Sequence, residues 1–352
     1  MRSSSVPVSK SSILVTGGLG YLGRHLAHAL QQAGYSVITM DRRQPDPGVL
    51  CQPMEQFVNG DIADSRLIGE VLEEHGVQGV VHLAADTSVG ESMAVPLTYH
   101  RNNVSGLVEL LVAMEKSGCR RLVFASSAAV YGNGDTLNLL HEELTPNPIN
   151  PYGWTKAIGE RILGDAAQYS SIRSFSMRIF NVAGMGERTK LGSVPSSRKL
   201  IIPLLVEAAH MGRKLTAEDA ASAGVFGRGY PTCDGTVVRD YVHPDDVARS
   251  IVGALEILLS DDGDRQGRPA AEVVNVGTGQ ATSLKEIIEV TEAITGHMFG
   301  PIPWTAPTPG FPVQIVPDCS KARTLFGLSS SPTPIQSVIQ SAWDYGVKSA
   351  GL

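Results

Sequence analysis

The stretch Thr16-Gly17-Gly18-Leu19-Gly20-Tyr21-Leu22-Gly23, directly after the apolar run Ile13-Leu14-Val15, constrains the fold of this chain more than any other. Glycines at 17, 20 and 23 let a strand turn tightly into a helix, let the backbone approach a pyrophosphate, and let the helix pack closely with its N-terminus facing the anion. A strand, a glycine turn and a helix make the first half of a βαβ unit. The rest of the chain continues that rhythm. Val37 to Met40, Val80 to Leu83, Leu122 to Phe124 and Ser174 to Ile179 read as core strands, and Leu22 to Ala33, Arg66 to His75 and Asn103 to Lys116 as helices. Short apolar runs alternating with amphipathic stretches predict a Rossmann-type doubly wound α/β sheet with parallel strands.

A second, smaller mixed α/β lobe is expected after that sheet. Val273 to Val276, followed by a helix opened by Ser283 with Glu286 as its capping partner, suggests it. The predicted division is a dinucleotide-binding domain over 11–180 and a substrate lobe over 181–350, with segments free to interleave, and a loose arm over 1–10. Ala183 to Gly235 and Trp304 to Pro317, rich in Gly, Pro or Ser, are expected to be irregular and to line a pocket.

At 352 residues, 42% hydrophobic and 18% charged, the chain has ordinary globular composition, which excludes disordered and collagen-like classes. A net charge of -6 without a long basic run gives no footprint for nucleic acid or an anionic membrane, so the expected partner is a small molecule. Cys51, Cys119, Cys233 and Cys319 show no metal-ligand or disulfide spacing, which suits a reducing cytoplasm and no metal. The Ser-rich start has no apolar signal core, and no run is long enough to span a membrane.

Asp41 ends the second strand about twenty residues beyond the glycines, where a carboxylate accepts hydrogen bonds from an adenosine ribose. That favours NAD, since the carboxylate would repel a 2′-phosphate. Arg42 and Arg43 argue the other way, because a cation beside the acid can hold that phosphate. Further on, Tyr152 and Lys156 stand four apart in Asn150-Pro151-Tyr152-Gly153-Trp154-Thr155-Lys156. On a helix this spacing puts both on one face, so that the ammonium lowers the phenol's pKa and creates an acid/base group. The spacing alone is common on solvated helix faces, and its weight comes from the motifs around it.

Those motifs occur in a familiar order: the glycine turn, Gly60-Asp61-Ile62, His82-Leu83-Ala84-Ala85, Ser126-Ser127-Ala128-Ala129-Val130-Tyr131-Gly132 and the Tyr152/Lys156 pair. On them the chain resembles the extended short-chain dehydrogenase/reductase family, most nearly its UDP-glucose (UDP-galactose) 4-epimerase branch. Val89 to Ser92, Asn102-Asn103-Val104, Arg178 to Asn181 and Tyr230 to His243 extend the resemblance over about residues 12–345. The resemblance implies NAD contacts from Gly17, Gly20, Tyr21, Leu22, Gly23, Asp41, Arg42, Asp61, Ile62, Leu83, Ala84, Ala85, Asn102 and Phe180, with Lys156 on the nicotinamide ribose. It implies a catalytic set of Ser127, Tyr152 and Lys156, and substrate contacts from Ser127, Asn181, Phe226 and Arg239. In that chemistry the Tyr152 phenolate removes a sugar hydroxyl proton while hydride passes to the nicotinamide, and return to the opposite face inverts the carbon. Ser127-Ala128-Ala129 lacks the acidic pair of the sugar 4,6-dehydratases, so dehydration is not expected.

The match departs from the branch at one end of the substrate clamp. A run of Arg-Arg-Glu-Gly-Asp type is replaced by Ala306-Pro307-Thr308-Pro309-Gly310-Phe311-Pro312, and an Asn-Asn pair by Arg198-Lys199-Leu200. A lysine often found near the nicotinamide is replaced by Thr87, next to Asp86. Either Arg198 and Lys199 replace the lost cation, other backbone groups hold the phosphates, or the substrate is not UDP-linked. The expected activity is NAD-dependent epimerisation at C4 of a nucleotide-linked sugar; the alternative is a net dehydrogenase or reductase on an atypical sugar or nucleoside. A non-catalytic dinucleotide sensor is the third reading. The resemblance further implies a homodimer joined through the helix after Pro96 and the helix carrying Tyr152.

Overall fold

The structure is a computed structural model that describes residues 10–45, 56–133, 138–186, 200–260, 269–307, 311–327 and 332–349. Its centre is a seven-stranded parallel sheet. The strands are β1 (Lys10–Thr16), β2 (Tyr35–Asp41), β3 (Gln56–Asn59), β4 (Val77–His82), β5 (Arg121–Ser127), β6 (Arg173–Ile179) and, after the short β7 (Asn181–Val182), β8 (Val238–Arg239) and β9 (Tyr241–Val242), β10 (Ala271–Val276). Their order across the sheet is β10-β6-β5-β4-β1-β2-β3. The chain therefore reverses direction of travel between β1 and β4, and a crevice opens outside the carboxyl ends of those strands.

Both faces of the sheet are covered, as near-continuous apolar strands require. Side chains alternate across β1: Ile13 and Val15 pack on one face with Leu26 and Leu30 of α1 (Tyr21–Gln32), while Leu14 packs on the other. The first face is closed by Val247, Ile251 and Leu255 of α9 (Pro244–Leu259). The second is closed by α2 (Ser65–Glu74), α5 (Gly106–Ser117) and α6 (Pro151–Tyr169), through residues such as Ile68, Leu110 and Leu163. Between β4 and α5 run α3 (Val89–Ala94), α4 (Pro96–Tyr99) and one wider, π-helical turn, His100–Ser105.

Three sequence expectations need correction here. Val273 to Val276 does not open a second lobe; as β10 it pairs in parallel with β6, Val274 opposite Met177 and Val276 opposite Ile179. Buried on the sheet's edge, it belongs to the dinucleotide-binding layer although it lies a hundred residues downstream. The Gly/Pro/Ser-rich region 183–235 is not wholly irregular. It contains α7 (Ile201–His210), whose apolar residues Leu204 and Leu205 are fully buried, and α8 (Ala217–Ala223), opened by a complete Thr216/Asp219 capping box. Asn103 to Lys116 is continuous helix only from Gly106, because the π turn precedes it.

The second core does exist. Residues of α7, the helix Leu284–Thr295 and the helix Ile335–Ser349 pack with Phe226, Val237 and Phe299 into one cluster. Ser283 caps its helix, its hydroxyl accepting from Glu286 N at 3.1 Å, but among the described hydrogen bonds the return bond from the Ser283 amide to Glu286, which would complete the expected capping box, is not made. Two small sheets, separate from the main one, accompany this cluster. Asn181 and Val182 of β7 pair with Tyr241 and Val242 of β9, and β8 lies between β11 (Thr282–Ser283) and β12 (Gln314–Ile315).

Candidate active site

The glycine turn is shaped by backbone contacts. Gly17 has φ +73°, and the amides of Gly17 and Gly18 donate to Met40 O at 2.8 and 3.2 Å. A Cβ on Gly17 would lie 2.7 Å from Ala84 N, and one on Gly23 would lie 2.3 Å from Gly17 O. Among the described residues no side chain caps α1 at Gly20, which leaves the first-turn amides to an anion in the crevice. These features fit a dinucleotide pyrophosphate. Tyr21 contributes its amide to that turn; its hydroxyl donates instead to Gly184 O, and burial raises its pKa. Leu22 turns its side chain into the core.

At the end of β2, Asp41 is buried and accepts from Leu19 N at 3.1 Å and from Arg43 N, Nε and Nη2 at 3.0, 3.0 and 2.9 Å. Burial opposes its charge, but the bonds from Arg43 hold its carboxyl below the usual range. The acid expected to receive an adenosine ribose is thus already paired with the second of the two arginines. Arg42 points elsewhere, to Asp86 Oδ1 at 2.8 Å. Asp61 and Ile62 follow β3 beside β2; Asp61 accepts from Ala63 N at 3.0 Å, and Ile62 packs on Gly106. Leu83, Ala84 and Ala85 follow β4, Leu83 N donating to Thr16 O at 3.1 Å. Asn102, from the π turn, donates to Asp86 Oδ2. Phe180 is buried against Tyr131, with ring centroids 6.3 Å apart.

Ser127 and Tyr152 meet at the carboxyl end of β5. Asn150 caps α6 by accepting from Gly153 N at 2.8 Å, and Pro151 fills the first helical position, where no N–H is needed. This start fixes Tyr152 in the first turn, where α6 packs on the Ser127–Tyr131 segment so closely that a Cβ on Gly153 would lie 2.6 Å from Ala129 O. One turn on, Lys156 is buried, donates to Ala125 O at 2.7 Å, and lies 4.8 Å from the Phe124 ring centroid and 5.9 Å from that of Tyr152. The expected tuning is modified by desolvation. Burial raises the Tyr152 phenol, with the Ser127 hydroxyl opposing, and burial pushes the Lys156 amine down to about 8, with Glu160 opposing. Two of the three Lys156 donors remain for a ribose diol.

Three contributors receive no role from the sequence motifs, although two of them lie within motifs. Glu160, one turn beyond Lys156, forms a buried ion pair with Arg178 at 2.7 Å and accepts from Ser126 Oγ, tying α6 to β5 and β6 beside the catalytic pair. Its spacing of four from Lys156 was the available signal. Asn103 donates to Thr155 Oγ1 at 3.1 Å, joining the π turn to α6. His82, in the His-Leu-Ala-Ala motif, shares a 2.7 Å hydrogen bond between its Nδ1 and Thr16 Oγ1 and stacks on Phe124.

Burial, reinforced by Lys156, pushes the His82 imidazole down to about 3. Between that value and the unfolded histidine range near 6.5 the unfolded chain binds more protons, so stability from the neutral ring is complete above about pH 6.5 and lost as pH falls. Urea titrations of the apoprotein should show His82→Gln removing up to roughly 1.4 kcal/mol per pH unit of the acid-side slope. An unchanged slope would exclude His82 as its source.

On the substrate side, Arg239 is held by carbonyls alone. Its Nη1 donates to Val238 O and Val313 O at 2.7 and 3.2 Å, its Nη2 to Pro312 O at 2.7 Å, and its guanidinium sits 5.2 Å over the Phe311 ring. Among the described residues no carboxylate pairs with it, and burial lowers its pKa. A desolvated cation without a counter-ion is a receptor for an anion. Of the described part of the divergent run, Ala306, Pro307, Phe311 and Pro312, the last two hold Arg239; Thr308 to Gly310, like Arg198 and Lys199, lies outside the described residues. Asn181 is exposed on β7 beside Tyr241. Phe226 buries its ring, 1% exposed, in the second core, and its carbonyl accepts from Thr305 N at 2.9 Å, so any contact of this segment with substrate would have to come from its backbone.

The model of the NAD dependent epimerase/dehydratase family matches residues 13–277. The chain belongs to that family. It is 34% identical over 336 residues to the UDP-glucose 4-epimerase of Lactobacillus helveticus, covering 95% of this chain and 96% of that one. It superimposes on the UDP-glucose 4-epimerase of Stenotrophomonas maltophila, solved with NAD and formylated UDP-arabinopyranose, with a TM-score of 0.83 at 31% identity, over 97% of this chain and 100% of that one. The NAD complex of the Brucella ovis enzyme gives a TM-score of 0.83 at 33% identity, over 96% and 98%. Among the described residues no helix is long and apolar enough to cross a membrane, and no cluster of metal-binding side chains occurs.

Proposed function

We propose that this family member is an NAD-dependent epimerase acting at C4 of a UDP-linked sugar, without net oxidation. The convergence of Ser127, at the end of β5, with Tyr152 and Lys156, on the first turns of α6 at the mouth of a dinucleotide crevice, carries the reading. Tyr152, as the phenolate, takes the proton of the sugar 4-hydroxyl, and Ser127 holds the same hydroxyl in line. Lys156 bonds the ribose of the cofactor and, when protonated, favours the phenolate. Gly17, Gly20, Gly23 and the α1 amides receive the pyrophosphate, Asp41 the adenosine ribose, Asp61 and Ile62 the adenine side, and Leu83 to Ala85, Asn102 and Phe180 the nicotinamide side. NAD held there would supply the acceptor, and then the donor, of the C4 hydride. Arg239 and Asn181 keep the diphosphate fixed while the flat keto-sugar turns over.

The purified protein should convert UDP-galactose and UDP-glucose into one equilibrium mixture, followed by NMR of the anomeric protons with no added oxidant or reductant. Stoichiometric release of NADH, or no conversion of either sugar, would refute the proposal. Arg239→Ala should raise KM by about tenfold to a hundredfold, the worth of one desolvated charge-assisted contact, with a smaller change in kcat.

The reading extends to a cytoplasmic homodimer. Exposed apolar side chains on α3 to α6, among them Met93, Leu97, Val108 and Trp154, suit burial against a second copy. Light scattering at micromolar concentration should give twice the chain mass of 37.4 kDa, and a monomer would remove this extension.

A further inference from the structure

We propose that Arg42 and Asp86 form a clasp over the mouth of the dinucleotide crevice, Asp86 acting as the positioning residue that holds the Arg42 guanidinium above the bound cofactor and slows its escape. The inference rests on the proposed cofactor site and goes beyond it. In the sheet β4, β1 and β2 are neighbours, and the glycine turn leaves the middle strand. Arg42 follows β2 and Asp86 follows β4. Their 2.8 Å ion pair therefore passes over the carboxyl end of β1, where a dinucleotide crosses a sheet of this topology.

The two ends of the clasp differ in how they are held. Asp86 is a fixed post: its carboxylate accepts from Asn102, its amide donates to Asn103 Oδ1 at 2.8 Å, and its carbonyl accepts from Asn103 Nδ2 at 2.9 Å. Both asparagines come from the π turn, a distortion that sets consecutive side chains against one loop. Asn103 in turn reaches Thr155, whose hydroxyl donates to Tyr152 O at 2.7 Å, so the post is fastened to the catalytic helix. Arg42 is the swinging arm, its side chain 57% exposed against 20% for Asp86.

The charges suit this task. Arg43 is occupied by Asp41, which leaves Arg42 as the arginine of the pair that can cover a pyrophosphate while remaining tethered. An exposed ion pair contributes little to folding by itself. A pair drawn over a dianion contributes to the barrier for its release. An epimerase must return the hydride to the same sugar, so slow cofactor release protects each cycle.

The test is the rate at which fluorescent NADH leaves the full-length protein on dilution into excess NAD. Arg42→Ala and Asp86→Asn should each speed release by about tenfold, the size of one charge-assisted contact. Asp86→Asn keeps an acceptor for Asn102 and removes only the charge, and Asp86→Glu should restore slow release in part. The double variant should release no faster than either single one. Unchanged release in both single variants, or additive effects in the double, would overturn the clasp while leaving the cofactor site intact. A wild-type protein that binds no NADH would overturn the site and the clasp together.

Discussion

Tyr152→Phe is expected to lower kcat by about 10²- to 10⁴-fold, the range measured for loss of a positioned acid/base group. The phenyl ring still fits the first turn of α6, whose Asn150 cap and Pro151 are independent of the hydroxyl. NADH binding and the urea midpoint should therefore stay near wild type, which separates a chemical loss from a structural one. A variant that retains more than a tenth of wild-type kcat would remove Tyr152 from the proton transfer and refer it to Lys156 or to solvent. Ser127→Ala removes the hydroxyl proposed to hold the same sugar hydroxyl that Tyr152 deprotonates, so its effect should not add in full to that of Tyr152→Phe.

Glu160→Ala is expected to cost about 3–5 kcal/mol of stability, measured by urea unfolding. The side chains of Arg178 and Glu160 are 3% and 7% exposed, so removing the acid leaves a buried guanidinium with, among the described residues, Glu142 O and the Tyr131 ring to receive it. Burial disfavours charge on Arg178, and Glu160 more than offsets that, holding its pKa above the ordinary value. The Ser126 hydroxyl loses its acceptor as well. Replacing both ionic partners by Leu and Met should cost much less than the single change, since no uncompensated charge remains. A loss under 1 kcal/mol for Glu160→Ala would show that water reaches the pair.

The sheet was legible because burial on both faces leaves a plain apolar signature in β1, β2, β4, β5 and β6, and glycines punctuate the first turn. β3 was not, because Gln56-Phe57-Val58-Asn59 is short, has polar ends and lies on an edge. α7 was hidden in a window whose Gly, Pro and Ser content averages away the apolar run from Ile201 to Val206. At the site, side-chain types and order pointed to Ser127, Tyr152 and Lys156, which the structure brings together. What sequence could not carry was direction and solvent. Phe226 turns its ring into the core, Tyr21 turns its hydroxyl to Gly184, and burial sets the amine of Lys156 lower than its spacing from Tyr152 suggests. Arg42 and Asp86 lie far apart in the chain, so no local pattern joins them before the strand order is known.

The edge position of β10 also bears on how the chain is made. β6 gains its outer neighbour only when residues up to Val276 have been synthesised, because the pairing of Ala271 with Ser174 spans the whole of the intervening lobe. Until then β6 presents an unpaired row of backbone groups, with Phe175 and Met177 among the side chains that await cover. Non-local closure of this kind slows folding and prolongs exposure of an aggregation-prone edge. The dinucleotide-binding layer is thus not a module that the N-terminal half can complete alone; it depends on the late arrival of the strand that seals it.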